Sequence, residues 1–305
     1  MRPPRLRKGD LLGVVSPSGV VTPELEPQLQ RGVQTLERLG FEVVLAPHAR
    51  SATLGYSATP EEKAADLHAM FRDPAVKGVI CSQGGLTANS CLPLLDWELF
   101  RQHPKVFLGL SDITVLLNAI YARTGLITFH GDDVMWGLGR DPSAYDLEEL
   151  VARLVDGQAG PVRPSGPRET LRAGVAEGPL IGGNIDCLRK LLGTPYLPAL
   201  DGAILLLESY GFAPEAGTCW FHHLEQAGVL ARIGGAVIGH TDGDPPDPPR
   251  RLRDVFLEVT RRHDFPVLLL SDFGHNCPNT VLPIGARARL DAGARELVLL
   301  EPCVE

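Results

Sequence analysis

The sequence predicts an α/β fold in two domains, on three observations. Through the first half, short continuous apolar runs alternate with stretches of helical periodicity. Such runs suit strands buried on both faces of a parallel sheet, with helices as the crossovers. Beyond residue 177 the apolar runs PLIGGNID, GAILLLE, IGGAVIGH, FPVLLL, NTVLPIG and ARARLDA predict a second, β-rich α/β domain. Residues 157–177 between them hold three prolines and four glycines with little periodicity, the composition of a linker. At about 150 residues per domain the chain has room for two, here 1–156 and 178–305 of 305 residues.

The first-half elements follow in order. Leu11–Val15 (LLGVV) is the first strand. Thr22-Pro23 places an N-cap ahead of a proline at the first helical position; Leu25, Leu29, Val33 and Leu36 mark one helical face, and Gly40 closes it. FEVVLA is a strand. Thr59 and Glu62 stand at capping-box spacing before Ala64, Leu67 and Phe71. VKGVIC is the next strand and leads into Gln83-Gly84-Gly85; VFLGL, a helix after Ser111 and the strand GLITFH complete the half. In a parallel sheet, ligands bind beyond the carboxyl ends of the strands, so the residues after each run matter most.

Composition narrows the function. With 44% apolar and 22% charged residues the chain can bury a large core. A net charge of -8 and the lack of a basic stripe argue against a nucleic-acid polymer as partner. Six scattered cysteines, none at CxxC spacing, suit core thiols in a reducing compartment better than a disulfide scaffold or a zinc site. Basic residues precede LLGVV, but Asp10 and Ser16-Pro17-Ser18 bracket a run shorter than the ~7–15 apolar residues of a signal peptide, and no run nears the ~20 of a membrane span. A cytoplasmic protein without membrane contact is expected. DGDPPDPP at 242–249 reads as a surface loop rather than a cation site. VVSPSG stands after the first strand in place of G-x-G-x-x-G, which ranks a dinucleotide-dependent oxidoreductase low.

VFLGLSDITVLLNAI changes from strand to helix at Ser111. A serine on such a corner reads in two ways. It can cap the helix, or it can be a nucleophile lifted out on a sharp turn, with the next amide facing developing negative charge. The local motif is G-x-S-D-I-T, a partial match to G-x-S-x-G. A nucleophile needs a base, and the base an orienting acid. Of nine histidines, His48, His68, His103 and His263 fall on loops or helix surfaces, His222 and His223 in a helix, and His130 and His240 at strand ends where they could line a cleft. His275 follows PVLLLSDFG and Glu208 terminates AILLLE. Three apolar strands are thus followed by Ser111, Glu208 and His275, a permitted triad order on an α/β frame. Candidate oxyanion donors are the Asp112 amide and a glycine amide of Gly84-Gly85, a pair that also reads simply as a tight turn. A non-catalytic peptide or nucleotide binder on the same crevice is the rival from another class.

These motifs, in this order, resemble the LD-carboxypeptidase family of serine peptidases, which also includes the microcin C immunity proteins. The resemblance runs through VVSPSG (14–19), Gly84-Gly85, LPLLDWELF (92–100), PKVFLGLSDITVL (104–116), GLITFHG (125–131), IGGNIDCLRKLLGTPY (181–196), ILLLE (204–208) and FGHNCPNTVLPIGARARLD (273–291). It implies Ser111 as nucleophile, Glu208 as orienting acid, His275 as general base, Asp112 and Gly85 as oxyanion hole, and Gly84 and Asn184 near the substrate. It further implies an N-terminal α/β sandwich with a parallel sheet, a C-terminal domain on a mixed sheet, a site at their junction, a homodimer, and neither metal nor cofactor. Two substrates follow: a murein peptide ending in D-alanine, or an aminoacyl- or peptidyl-nucleotide amide. Many carboxypeptidase members read Arg-Gly-Gly-Tyr-Gly where this chain has Gln83-Gly84-Gly85-Leu86-Thr87. The form ending at Asn89 is closer to the immunity branch, and His130-Gly131-Asp132 departs from the family's usual His-Gly-Pro.

Overall fold

The computed structural model describes residues 1–242 and 250–305; of the loop expected at 242–249, all but Asp242 lies outside the described residues. The first half runs β1 (Leu11–Val15), α1 (Glu26–Arg38), β2 (Glu42–Leu45), α2 (Pro60–Arg72), β3 (Val76–Cys81), α3 (Trp97–Gln102), β4 (Val106–Gly109), α4 (Thr114–Thr124), β5 (Thr128–His130) and α5 (Ala144–Leu154). Then come β6 (Gly160–Pro161), β7 (Arg168–Arg172), β8 (Val175–Asn184), α6 (Ile185–Leu188), β9 (Ile204–Tyr210), α7 (Pro214–Gln226), β10 (Gly235–Asp242), α8 (Leu252–Val259), β11 (Val267–Gly274), β12 (Leu282–Ile284), β13 (Arg287–Asp291) and β14 (Glu296–Leu299).

Two sheets form. The first has the order β12-β5-β4-β3-β1-β2. Its strands β1 to β5 are parallel, as their unbroken apolar character requires, and β12 adds antiparallel to β5. The second has the order β6-β14-β13-β8-β9-β10-β11-β7. Parallel strands β8 to β11 form its centre and antiparallel strands flank them, so it is mixed. Two findings go beyond the sequence reading. The stretch 157–177 is more than a linker, because β6 and β7 complete both edges of the second sheet. The β12 segment of the second half crosses to pair with the first sheet.

Local signals hold where their physics is local. Thr59 and Glu62 make the reciprocal capping box, and Leu29, Val33 and Leu36 bury one face of α1. That helix starts later than its proline suggested. Residues 23–25 form a turn, with Leu25 N–H bonded to Thr22 O at 3.0 Å, and the helix begins at Glu26. Among the described residues no helix is long and apolar enough to cross a membrane.

Helix α4 ties the halves together. In the sequence Ile113, Leu116, Leu117 and Ile120 recur at helical spacing, yet every side chain from Thr114 to Ile120 is buried, because α4 packs against β4 and β5 on one side and β8 and α6 on the other. A helix enclosed by two layers is apolar nearly all round. Its one amide, Asn118, donates to Gly182 O at 2.9 Å and accepts from Gly182 N–H at 3.0 Å. Gly182 and Gly183 carry φ of 123° and 131°. A Cβ on Gly183 would stand 2.5 Å from Thr114 Oγ1 and 2.9 Å from the His130 ring; glycine is what lets β8 approach α4 this closely. Asn118→Leu keeps the volume but orphans both Gly182 groups, and should cost about 2–4 kcal/mol in urea unfolding. A loss under about 0.5 kcal/mol would show that the amide does not join the halves.

Candidate active site

The corner after β4 is strained. Leu110 is extended, and Ser111 then takes φ +64°, a left-handed conformation that costs a non-glycine residue roughly 1–2 kcal/mol. The Ser111 side chain caps neither the short turn Ser111–Ile113 nor α4. The capping role is therefore unfilled. Gly84 lies directly against this corner: a Cβ there would stand 2.5 Å from Ser111 Cβ and 3.4 Å from the Asp112 amide nitrogen.

What holds the corner is the next side chain. The Asp112 carboxylate is wholly buried. Its Oδ2 accepts from Ser18 Oγ at 2.5 Å and from Ala88 N–H at 2.8 Å, and its Oδ1 accepts from Lys190 Nζ at 2.5 Å. Lys190 also reaches Leu86 O at 3.1 Å, and Lys63 Nζ holds Thr87 Oγ1 at 2.8 Å. The segments carrying Ser18, Ala88 and Lys190 thus meet on the carboxylate that follows the Ser111 elbow. Burial alone would raise its pKa; Lys190, Ser18 and the Ala88 amide outweigh burial and hold it below the usual carboxylate range.

Glu208 and His275 form the second element. Parallel pairing of β8 and β9 sets Asn184 beside Glu208, and β11 ends at Gly274, one residue before His275. His275 Nδ1 meets Glu208 Oε2 at 2.6 Å. Glu208 is fully buried and the His275 side chain only 12% exposed. Burial works against charge on both. The Glu208 carboxylate nevertheless raises the His275 pKa above the ordinary imidazole value, and His275 holds Glu208 below its own. With Nδ1 engaged, Nε2 is left to face a substrate or a hydroxyl.

The other candidate residues have these surroundings. His130 is completely buried behind the pair, edge-on to Phe273 at 4.9 Å, with no partner on either nitrogen. Burial drives its pKa down to about 4, so it is neutral. Asn184 is buried, and its side chain caps α6 by accepting from Cys187 N–H at 3.2 Å. Gly85 has φ +147° and stands against Ser18 and Gly19. Among the described residues no hydrogen bond joins Ser111 Oγ to His275 or to any other group. A concavity of about 580 Å³ lined by Glu169, His240, Arg251 and Ser271 contains none of Ser111, Glu208 and His275. The sequence reading missed Lys190 and the Asp112 side chain; the sole hint was that Ser18 sits in the VVSPSG motif.

Lys190→Met keeps the apolar stem and removes the cation from Asp112. Unfolding free energy should fall by about 1–3 kcal/mol. The depressed Asp112 pKa contributes stability above its unfolded value, lost as pH falls through the folded one. In the variant the folded pKa rises, so that loss begins at higher pH. Superimposable urea curves for both proteins across pH 4–8 would refute the clamp.

Residues 12–131 match the LD-carboxypeptidase N-terminal domain, and residues 177–290 the LD-carboxypeptidase C-terminal domain. A Bacillus subtilis (strain 168) protein named "Probable murein peptide carboxypeptidase" is 31% identical over 98% of this chain and 94% of its own length. The Microcin C7 self-immunity protein MccF of Escherichia coli is 29% identical over 97% of this chain and 94% of its own. A solved structure of MccF in complex with aspartyl sulfamoyl adenosine superimposes with a TM-score of 0.92 at 27% identity, covering 100% of both chains. On signatures in both halves, relatives aligned nearly end to end and a shared fold, the chain belongs to the LD-carboxypeptidase family.

Proposed function

We propose that the chain is a serine hydrolase that cleaves a peptide-like amide through an acyl-enzyme on Ser111. The observation that carries this reading is the His275–Glu208 hydrogen bond of 2.6 Å, taken with the strained, uncapped Ser111. Ser111 Oγ attacks the scissile carbonyl as His275 Nε2 takes its proton. The Asp112 and Gly85 amides receive the oxyanion, Gly84 leaving space for it. Collapse breaks the C–N bond, and His275 returns the proton to the leaving amine. Water then enters with His275 again as base, releasing the acid and restoring the hydroxyl. Glu208 fixes the ring tautomer and stabilises the imidazolium. Serine–base hydrogen bonds are commonly long before substrate binds and tighten in the complex.

The preferred substrate is a murein peptide, cut before a terminal D-alanine. A homodimer serving peptidoglycan recycling in the cytoplasm is part of this proposal. A second reading, hydrolysis of aminoacyl- or peptidyl-nucleotide amides with a role in microcin immunity, is favoured by the Gln83–Thr87 turn and by the MccF structures holding aspartyl sulfamoyl adenosine and glutamyl sulfamoyl guanosine. Turnover of a murein tetrapeptide beside an aminoacyl sulfamoyl adenylate separates the two. Release of D-alanine alone supports the first, and release of the nucleotide-side amine alone supports the second.

Ser111→Ala should leave unfolding unchanged and lower kcat by about 10³-fold or more; turnover at the wild-type rate would remove Ser111 from the mechanism. The base must be neutral to act, and its pKa is raised. The acid limb of kcat/KM should therefore lie above the ordinary imidazole value. Glu208→Gln should move that limb downward and cut kcat by about 10³–10⁴-fold. An acid limb that stays in place in Glu208→Gln contradicts the pairing.

A further inference from the structure

Two side chains on the loop after β5 take no part in the steps above. The Trp136 indole, 37% exposed, donates Nε1–H to Gln83 Oε1 at 2.9 Å, and Gln83 in turn donates to Val20 O at 2.7 Å. Gln83 immediately precedes Gly84, the residue against Ser111. The Arg140 guanidinium lies over the indole, 4.7 Å from its ring centroid, and donates to Asn276 Oδ1 at 2.7 Å. Asn276 immediately follows His275. The stacked pair therefore spans from the turn that faces the serine to the loop that carries the imidazole.

Charge gives this bridge a purpose. The carboxylates that act on His275 are Glu208, Asp133 and Asp242. An anionic substrate group entering there is repelled unless a cation meets it. Lys190 is committed to Asp112. Arg140 is exposed and in no ion pair among the described residues. Its contact with Asn276 engages one of five N–H donors, leaving a planar fork able to bind a carboxylate through two parallel hydrogen bonds. Stacking on an indole holds the plane of that fork. Position selects the side of the substrate: Arg140 is tethered beside His275, the group that protonates the leaving amine.

We propose that Arg140, braced on Trp136, anchors a free terminal carboxylate on the leaving-group side of the scissile amide. The substrate class is then a peptide ending in an α-carboxylate. The inference rests on the hydrolytic reading above, and its test is made by binding so that the two fail separately.

Calorimetric titration of the Ser111→Ala protein uses a murein tetrapeptide acid, its C-terminal carboxamide and adenosine monophosphate. The acid should bind about 10–100-fold more tightly than the amide, the range expected of charge-assisted hydrogen bonds. Adding Arg140→Gln should abolish that preference, and Arg140→Lys should restore part of it. Equal affinity for acid and amide, failure of the acid to bind, or an Arg140→Gln loss confined to adenosine monophosphate overturns the anchor. Failure of the hydrolytic reading shows instead as no turnover of either the murein tetrapeptide or the aminoacyl sulfamoyl adenylate by the wild-type chain, whatever the Ser111→Ala preference.

Discussion

One buried carboxylate organises the candidate site. Asp112 has no solvent to satisfy it, so its oxygens must be matched by protein donors, and those donors come from three separate segments: Ser18, Ala88 and Lys190. Matching them draws the segments carrying Ser18, Ala88 and Lys190 against the corner. The left-handed Ser111 persists because the residue after it is fixed on three sides. Strain of this kind survives only where the surroundings over-determine it. The same residue is offered twice over: its side chain builds the corner, and its amide sits beside the serine.

The Glu208–His275 pair obeys a similar constraint. Neither group would ionise readily in a buried place, yet each makes the charged form of the other tolerable, so one rises and the other falls from its ordinary value. His130 shows what happens without a hydrogen-bonded partner: close by and more deeply buried, it is driven neutral. A carboxylate hydrogen bond and shallower burial, rather than residue type, separate the two imidazoles. Trp136 and Arg140 add a different element, a cation outside every ion pair of the described residues at the edge of an acidic site.

Much of the fold was legible because its signals are local. Continuous apolar runs identify the parallel strands, capping-box spacing identifies the start of α2, and three runs ending in Ser111, Glu208 and His275 point at the carboxyl ends of strands. Where the cause was non-local, reading stopped short. The linker looked structureless because β6 and β7 are edge strands, which need little apolar pattern of their own. α4 showed apolar residues at helical spacing when both its faces were buried, since the second covering layer comes from residues more than sixty positions away. His130 and His275 carry the same strand-end signature, and no local feature says which one meets a carboxylate.

The amino-acid order was sufficient for the α/β class, the alternation of strand and helix, and the three residues presented at strand ends, because each follows from periodicity and turn chemistry within a few neighbours. Which of those residues share a hydrogen bond, which carboxylate is clamped and where a spare guanidinium points required the packed chain. Pair distances across two sheets depend on how α4, β8 and β9 settle against one another. Coulomb energy and desolvation both change steeply over those few ångströms.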